Sequence, residues 1–178
     1  QDSRIQYRHA SAENLPFPTS FFNLVIVALA FHWFHRSLFL AEASRVLRAG
    51  GHLIIYNGGL VETPQTNFTL KQWYAKQFLT RFPVPPNYNR QPLTQDEAQL
   101  HAFQLIGKER YTLPFHLSPE TFVQYLMSMS LVTAMIEQEQ RDSREVEQKL
   151  FDEVKALWSP QADEFLFGGF IEYWQKDK

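Results

Sequence analysis

The sequence predicts an α/β fold with a parallel sheet, and two strand patterns on either side of a helical pattern carry that prediction. Residues 21–31, FFNLVIVALAF, form a continuous apolar run rich in β-branched side chains, typical of a strand covered on both faces. Residues 52–57, HLIIYN, form a second apolar run directly after Gly50 and Gly51. Residues 36–47 lie between them and place apolar side chains at helical spacing. This order predicts a βαβ unit with a right-handed crossover.

Further elements are expected on both sides of this unit. Residues 4–9, RIQYRH, alternate apolar and polar side chains, which is the period of a half-exposed strand. Beyond residue 60, start signals and periodicity predict helices over about 65–82, about 94–105, from 119 onwards and about 143–158, and strands over 108–117 and 164–174. The last strand is expected to break at Gly168 and Gly169.

Composition limits the classes of partner. The chain has 178 residues, 44% of them hydrophobic, which is enough for a buried core in one domain. Its formal net charge is −2 and it has no dense cluster of Lys and Arg, so we expect neither a nucleic-acid partner nor a membrane partner. Because there is no cysteine, disulfides, thiolate metal sites and cysteine nucleophiles are excluded. A cytoplasmic location fits this composition.

Three pieces of sequence in fixed order carry a family resemblance. They are SAENLPF at 11–17, FFNLVIVALAFHWF at 21–34 and EASRVLRAGGHLIIY at 42–56. Together they resemble the C-terminal portion of class I S-adenosylmethionine-dependent methyltransferases of the small-molecule, type 11-like group. The resemblance covers residues from about 4 to 57, whereas residues 60–178 follow the family only in general pattern.

The resemblance implies a Rossmann-like fold. The family sheet has seven strands in the order 3-2-1-4-5-7-6, and this chain would supply strands 3 to 7, with the N-terminal strands absent. The glycine-rich first turn of the family, its motif I, has no counterpart in the 178 residues, and a first residue of Gln1 fits a truncated chain. We therefore expect residues 1–178 to form a single partial methyltransferase domain. Residues 1–60 would be its cofactor-side βαβ core, and residues 61–178 its substrate-side helices and C-terminal strands.

The resemblance also implies a cofactor, S-adenosyl-L-methionine, and a place for its adenine. Ser11, Ala12 and Glu13 would lie along the ring, with a backbone N–H bonding a ring nitrogen and a polar side chain accepting from the exocyclic amine. Ala12 is small, so the ring could approach the backbone. Glu13 has an alternative interpretation, in which its side chain caps the turn and does not contact the cofactor.

The segment after the next strand would receive the other end of the cofactor. Ala28, Leu29 and Ala30 would lie along the methionine and sulfonium end, since ligands of open α/β sheets bind at the carboxyl ends of the strands. In-line transfer of the methyl group would then depend mainly on alignment of the acceptor.

Three aromatic or imidazole side chains are candidates for a substrate pocket. His32 and Trp33 would line it, or would form an aromatic plug at the start of the helix. Trp73 would cover the acceptor, or would belong to the core. His32 and His35 are three residues apart, but no third ligand is spaced nearby, so no metal site is predicted. No catalytic base can be named.

The predicted function is transfer of a methyl group from S-adenosylmethionine to a small-molecule acceptor, with the 178 residues alone inactive. The alternative is a non-catalytic fragment or interaction module of methyltransferase ancestry that does not bind the cofactor. Exposed sheet edges in a truncated chain would permit self-association. Glu42 and Arg45, three residues apart on the predicted helix, are interpreted as an ordinary structural ion pair.

Overall fold

The protein is described here by a computed structural model that covers residues 3–65, 67–84, 88, 89, 91–159 and 163–178. The chain divides into two compact units. The first unit consists of Gln1–Asn57, Asn89–Arg110 and Phe170–Lys178, and the second of Gly58–Tyr88 and Tyr111–Gly169. The first change of unit falls close to the predicted division at residue 60, but later stretches of chain return to the first unit.

Within the described ranges, four strands form one sheet. They are β1 Phe22–Ala28, β2 Leu47–Glu62, β3 Phe103–His116 and β4 Glu164–Lys176. The order across the sheet is β1-β2-β4-β3. This is the order 4-5-7-6 that the resemblance implies, so the Rossmann-like α/β prediction is confirmed.

The helices begin largely where their caps predict. They are α1 Arg36–Val46, α2 Phe68–Trp73, α3 Leu79–Arg81, α4 Gln95–Gln99, α5 Pro119–Ser128, α6 Ser130–Glu139 and α7 Ser143–Leu157. A π-helical turn, Tyr74–Phe78, joins α2 to α3, and a 3₁₀ turn, Phe31–Trp33, precedes α1. No helix in the described residues is both long and apolar enough to cross a membrane.

Two predicted helices differ from the structure. The capping box of Thr94 and Glu97 is present, but α4 ends at Gln99 and not near residue 105, because β3 begins at Phe103. The helix that starts after Ser118 is interrupted at Met129, whose backbone is extended (φ −71°, ψ 131°), so that α6 begins as a separate helix. Local caps therefore fixed where helices start better than where they end.

The first unit is built on the predicted βαβ segment. Strands β1 and β2 are parallel, with Val25 opposite Leu53 and Val27 opposite Ile55. One face of this strand pair belongs to a buried cluster that also contains Phe39, Leu40 and Ala43 of α1, none more than 2% exposed. The helix therefore covers this face of the parallel pair.

The expectation that both faces of β1 are covered is wrong. Leu24 and Ile26 are 45% and 59% exposed, and both alternate with the buried Val27 side of the strand. Because β1 is an outer strand of the sheet and α1 packs on one face, these side chains meet no covering element in the described part of the chain. A run of apolar residues indicates which side chains can be buried. It does not indicate which faces of the strand are covered by other elements.

Residues 4–9 do not form the predicted strand. Residues 5–10 have no regular secondary structure and are exposed. A strand is stabilised by hydrogen bonds to a neighbouring strand. The neighbour implied by the resemblance, strand 2 of the family sheet, is not among the four described strands. The alternation of side chains was therefore not sufficient to form a strand here.

The second unit has an aromatic core. The rings of Phe122 and Phe165 lie 4.6 Å apart between centroids, and the rings of Tyr74 and Phe78 are stacked at 5.3 Å. Burial raises the pKa of Tyr74 to about 12, since the phenolate would be poorly hydrated there. The unit is held by packed rings, to which the helices α2, α5 and α7 contribute.

Strand β4 runs through Gly168 without the predicted break. A Cβ atom at Gly168 would lie 2.6 Å from the backbone carbonyl oxygen of Tyr111. Glycine is therefore required for close approach of the two backbones, not for a turn. The predicted break at Gly168 and Gly169 is therefore wrong, because the strand continues through both residues.

Candidate functional site

The turn at Ser11 to Glu13 is closed by its own hydrogen bonds. The Asn14 N–H donates to the Ser11 carbonyl oxygen at 3.2 Å, and the Glu13 N–H donates to the Ser11 hydroxyl oxygen at 3.2 Å. Ser11 and Asn14 form an isolated antiparallel bridge. This pattern is a side-chain-supported turn, which short hydroxyl residues favour.

The Glu13 carboxylate joins this turn to the start of α1. One oxygen accepts from the His35 backbone N–H at 3.0 Å, and the other accepts from the Ser11 hydroxyl. The Ser11 hydrogen bond, followed by the His35 N–H, holds the pKa of Glu13 below its ordinary value. His35 is the N-cap residue of α1, so a carboxylate there also suits the positive end of the helix. The capping interpretation of Glu13 therefore has direct geometric support.

The second predicted loop follows β1 and belongs to the same unit. The Leu29 N–H donates to the Tyr56 carbonyl oxygen at 2.9 Å, and Leu29 has a left-handed backbone with φ 55°. Ala12 and Ala30 both pack against the core of the first unit. The Glu13 to His35 hydrogen bond joins the predicted adenine turn to the start of α1, and Ala12 and Ala30 pack against the same buried cluster.

A small cavity is lined in part by Phe31 and His32, the residues that follow Ala30. It has a volume of about 20 Å³, and His32, Arg36, Asn57 and Glu172 are among the residues that line it. That volume holds about one water molecule or one polar atom of a ligand. His32 is thus placed at a cavity, and the rings of His32 and Trp33 lie 5.3 Å apart between centroids.

Arg36 contributes positive charge to the cavity. Its side chain is 9% exposed, stacks over the Phe31 ring at 5.1 Å and donates to the carbonyl oxygens of Gln91 and Pro92. Its Nε atom is buried and has no hydrogen-bond partner among the described residues. Its ion pair to the Glu97 carboxylate is 3.7 Å long. Among the described residues, the cavity therefore contains a cation that is held by backbone carbonyl oxygens and by one long ion pair.

Glu172 contributes a negative charge to the cavity, and this charge is neutralised by Lys108. The residue is 2% exposed, and its carboxylate accepts from the Lys108 ammonium at 2.5 Å. Sequence reasoning missed Arg36, Asn57 and Glu172 as cavity residues. The one available signal was a lone acid in the apolar stretch FIEYW, which is unusual for a buried strand.

Trp73 lies in the second unit. The side chain is 3% exposed, its indole N–H donates to the Glu153 carboxylate at 2.9 Å, and its ring is 5.7 Å from that of Phe78. These contacts are those of a core residue with a satisfied polar atom. A role for Trp73 in an acceptor pocket stays a prediction.

The two neighbouring histidines have different roles in the structure. His35 caps α1 through its backbone, and His32 lines the cavity. Across the described residues, no group of three or more His, Asp or Glu side chains is arranged to hold a metal ion. No metal ligand is therefore assigned.

Comparison with known sequences finds a methyltransferase domain in the first part of the chain. Residues 1–55 match the methyltransferase domain family. A candidate methyltransferase of Dictyostelium discoideum is 38% identical over 63 residues, which cover 35% of this chain and 24% of that protein. The matched stretch therefore spans about a quarter of that relative's length.

Two solved structures resemble the whole chain. One, a candidate type II methyltransferase from Anaeromyxobacter dehalogenans, has a TM-score of 0.64 at 21% identity, over 99% of this chain and 73% of that one. The other, a candidate methyltransferase from Bacillus halodurans C-125, has a TM-score of 0.52 at 17% identity, over 98% and 79%. At these identities the likeness concerns the fold. The first part of the chain therefore resembles a methyltransferase domain, and the whole chain has the fold of these two structures.

Proposed function

We propose that this chain forms part of an S-adenosylmethionine-dependent methyltransferase that acts on a small molecule. The observation that carries the proposal is the hydrogen bond from the His35 N–H to Glu13, because it joins the predicted adenine turn to the start of α1, the helix that follows β1. In open α/β sheets, ligands bind at the carboxyl ends of the strands, and this segment lies at that end of β1.

The residues present fit one part of the cofactor. Ala12 and Ala30 have only a methyl side chain, so a flat ring and its sugar could approach the backbone at both segments. The turn at Ser11 to Glu13 has a fixed shape, which lowers the entropy cost of ordering it around a ligand. When bound, S-adenosylmethionine supplies an electrophilic methyl group on a sulfonium.

The remaining part of the cofactor has no matching residues in the chain. In the family, a glycine-rich turn and an acidic residue after the second strand hold the methionine portion and the ribose, and neither motif occurs in the 178 residues. We therefore propose that these 178 residues alone bind adenosine-containing ligands weakly and do not catalyse methyl transfer.

The acceptor would enter beside His32. The cavity there admits about one polar atom, and Arg36 gives it positive charge, so a carbonyl or carboxylate oxygen of the acceptor suits it. The chain's own residues would orient this group and exclude water from it. Alignment of the acceptor by such contacts is the main contribution expected of the protein.

Nuclear magnetic resonance of the 178-residue chain tests the proposal. Adding S-adenosylhomocysteine or adenosine should shift the amide signals of Ser11, Ala12 and residues 28–30, because the ring would lie against these backbones. Guanosine is the matched control, since its ring exchanges the donor and acceptor positions of adenine. Equal shifts with guanosine, or shifts only outside these segments, would contradict the adenine assignment.

One observation favours the alternative, a module of methyltransferase ancestry that does not bind the cofactor. Both carboxylate oxygens of Glu13 already accept hydrogen bonds within the protein. If the adenine turn requires Glu13 as the acceptor for the exocyclic amine, this arrangement competes with binding. The absence of any adenosine-induced shift at millimolar ligand would support this alternative.

A further inference from the structure

Residues Leu15 to Phe17 lie in neither a helix nor a strand, yet their backbone is held by side chains of α1. The Leu15 N–H donates to the Glu42 carboxylate at 2.6 Å. Arg45 donates to the Leu15 carbonyl oxygen at 3.1 Å and to the Phe17 carbonyl oxygen at 2.8 Å. Three backbone groups of this segment are thus satisfied by two side chains that lie 27 to 30 residues further along the chain.

Arg45 also binds Glu42 directly. Its Nε atom donates to one carboxylate oxygen at 2.8 Å, and a terminal nitrogen donates to the other at 2.6 Å. This is a bidentate contact, in which the planar guanidinium matches the carboxylate. The guanidinium still has donors for the two carbonyl oxygens, which an ammonium group could not reach in the same plane.

The environment keeps this pair charged. Glu42 is only 9% exposed as a residue, and the hydrogen bond from Arg45 holds its pKa below the ordinary value, helped by the Leu15 N–H and opposed by burial. Arg45 is the charged group that contacts Glu42 in the described residues. A partly buried pair of this kind is stabilising when further hydrogen bonds satisfy its remaining atoms, and here the backbone of Leu15 and Phe17 does so.

The start of the same helix also holds the turn. Glu13 binds the His35 N–H at the start of α1, whereas Leu15 and Phe17 bind residues 42 and 45 further along it. From residue 35 to residue 42 is about two helical turns, or about 10 Å. The rigid helix therefore sets the distance between two attachment points of the segment 13–17.

We propose that Glu42 and Arg45 are positioning residues, which fix the backbone of Leu15 to Phe17 and so hold the Ser11 to Glu13 turn in a ligand-ready shape. This role goes beyond an ordinary ion pair on a helix surface. The positioning role rests on the proposed function only for the identity of the ligand. The hydrogen bonds that define this role are present in the structure without a ligand.

Hydrogen exchange of the Leu15 amide measures directly how firmly Glu42 and Arg45 hold the backbone of Leu15 to Phe17. In Arg45→Lys and Glu42→Gln, the exchange of this amide should accelerate about tenfold to a hundredfold, the range expected on loss of a charge-assisted hydrogen bond. The Leu53 and Ile55 amides in β2 should be unchanged, which shows that the fold is intact. Glu153→Gln in α7 is the matched control, because Glu153 is also a partly buried, paired carboxylate.

A pH profile separates the positioning role of the Glu42 carboxylate from the effect of general packing. Because the pKa of Glu42 is lowered in the folded protein, its contribution is complete above the ordinary carboxyl value of about 4.3 and is lost as pH falls below it. In the wild-type chain, Leu15 protection, corrected for intrinsic exchange, should decrease in that acidic range. In Glu42→Gln this acid-dependent step should disappear.

Adenosine affinity gives the ligand-dependent readout. In Arg45→Lys, the midpoint of the adenosine-induced shifts at Ala12 should move at least fivefold to higher concentration, while Leu53 exchange stays unchanged. If Leu15 exchange is the same in all variants, or if Glu153→Gln accelerates it equally, the positioning role is wrong. If the wild-type chain does not respond to adenosine, the proposed function fails. The Leu15 exchange rates still test the positioning role of Glu42 and Arg45 in that case.

Discussion

Two partly buried glutamates, one in each unit, are used in different ways. Glu42 of the first unit binds a backbone N–H and an arginine that itself binds backbone carbonyl oxygens. Glu153 of the second unit binds two side chains, the indole of Trp73 at 2.9 Å and the guanidinium of Arg81 at 3.0 Å. The Glu42 carboxylate fixes the backbone of a loop, whereas the Glu153 carboxylate connects side chains of helices, which are formed by their own backbone hydrogen bonds.

This difference predicts different consequences of mutation. A carboxylate that binds backbone atoms should control local opening of one segment, while the rest of the fold remains. A carboxylate that binds side chains beside an aromatic core should contribute to global stability, and less than the core itself. The three predictions below test this division, from the largest expected effect to the smallest.

Phe122→Ala should destabilise the protein most. Phe122 is fully buried among aromatic rings of the second unit, and removal of such a side chain costs about 3 to 5 kcal/mol. Urea unfolding measures the loss. Phe68→Ala is the control, because Phe68 is 66% exposed and its replacement should change stability by less than about 0.5 kcal/mol. Equal losses in the two variants would mean that the aromatic core does not hold the second unit.

Trp73→Phe should have an intermediate effect. The substitution keeps an aromatic ring in the core but removes the N–H that donates to Glu153. Loss of a hydrogen bond to a charged group costs about 1.5 to 3 kcal/mol, measured as a shift in the urea midpoint. Unchanged stability would mean that Glu153 does not contribute to global stability through Trp73. It would favour the alternative interpretation of Trp73 as a residue that covers the acceptor.

The smallest effect is expected at an exposed ion pair of the second unit. The imidazole of His116 lies 3.1 Å from the Asp163 carboxylate, and that hydrogen bond raises the pKa of His116. A raised pKa means that the pair stabilises the fold below the ordinary value of about 6.5 and that this contribution is lost as pH rises through the folded-state pKa. In Asp163→Asn, the resonance titration of His116 should move to lower pH. An identical midpoint in both proteins would show that the pair does not form.

The sequence predicted the elements of the first unit well because each has a strong local signal. The apolar run at 21–31, the helical spacing before Gly50 and the run at 52–57 correspond to β1, α1 and β2, although α1 ends at Val46 and β2 already begins at Leu47. Prediction failed where a partner element decides the outcome. Residues 4–9 have the period of a strand but no neighbouring strand among the described residues, and Leu24 and Ile26 have the composition of a covered face but remain exposed.

The candidate site was predicted less completely than the fold. Motif resemblance pointed to the turn at Ser11 to Glu13 and to the segment 28–30, and the structure joins the turn to the start of α1 and packs Ala12 and Ala30 against one cluster. Arg36 and Glu172 were not found, because no local pattern connects a residue after β1 with one in the last strand. Glu42 and Arg45 were recognised as a pair, but their spacing gave no sign of the segment they hold.

The sequence by itself determined the strand and helix types, most helix starts and the resemblance to a methyltransferase domain, since caps, periodicity and motifs depend on residues that are close along the chain. Only the tertiary structure decided which sheet face is covered, that Gly168 allows close approach of two backbones, and that one helix holds the loop at residues 13–17 by two attachments. These outcomes depend on atoms that are distant in sequence and meet only after folding.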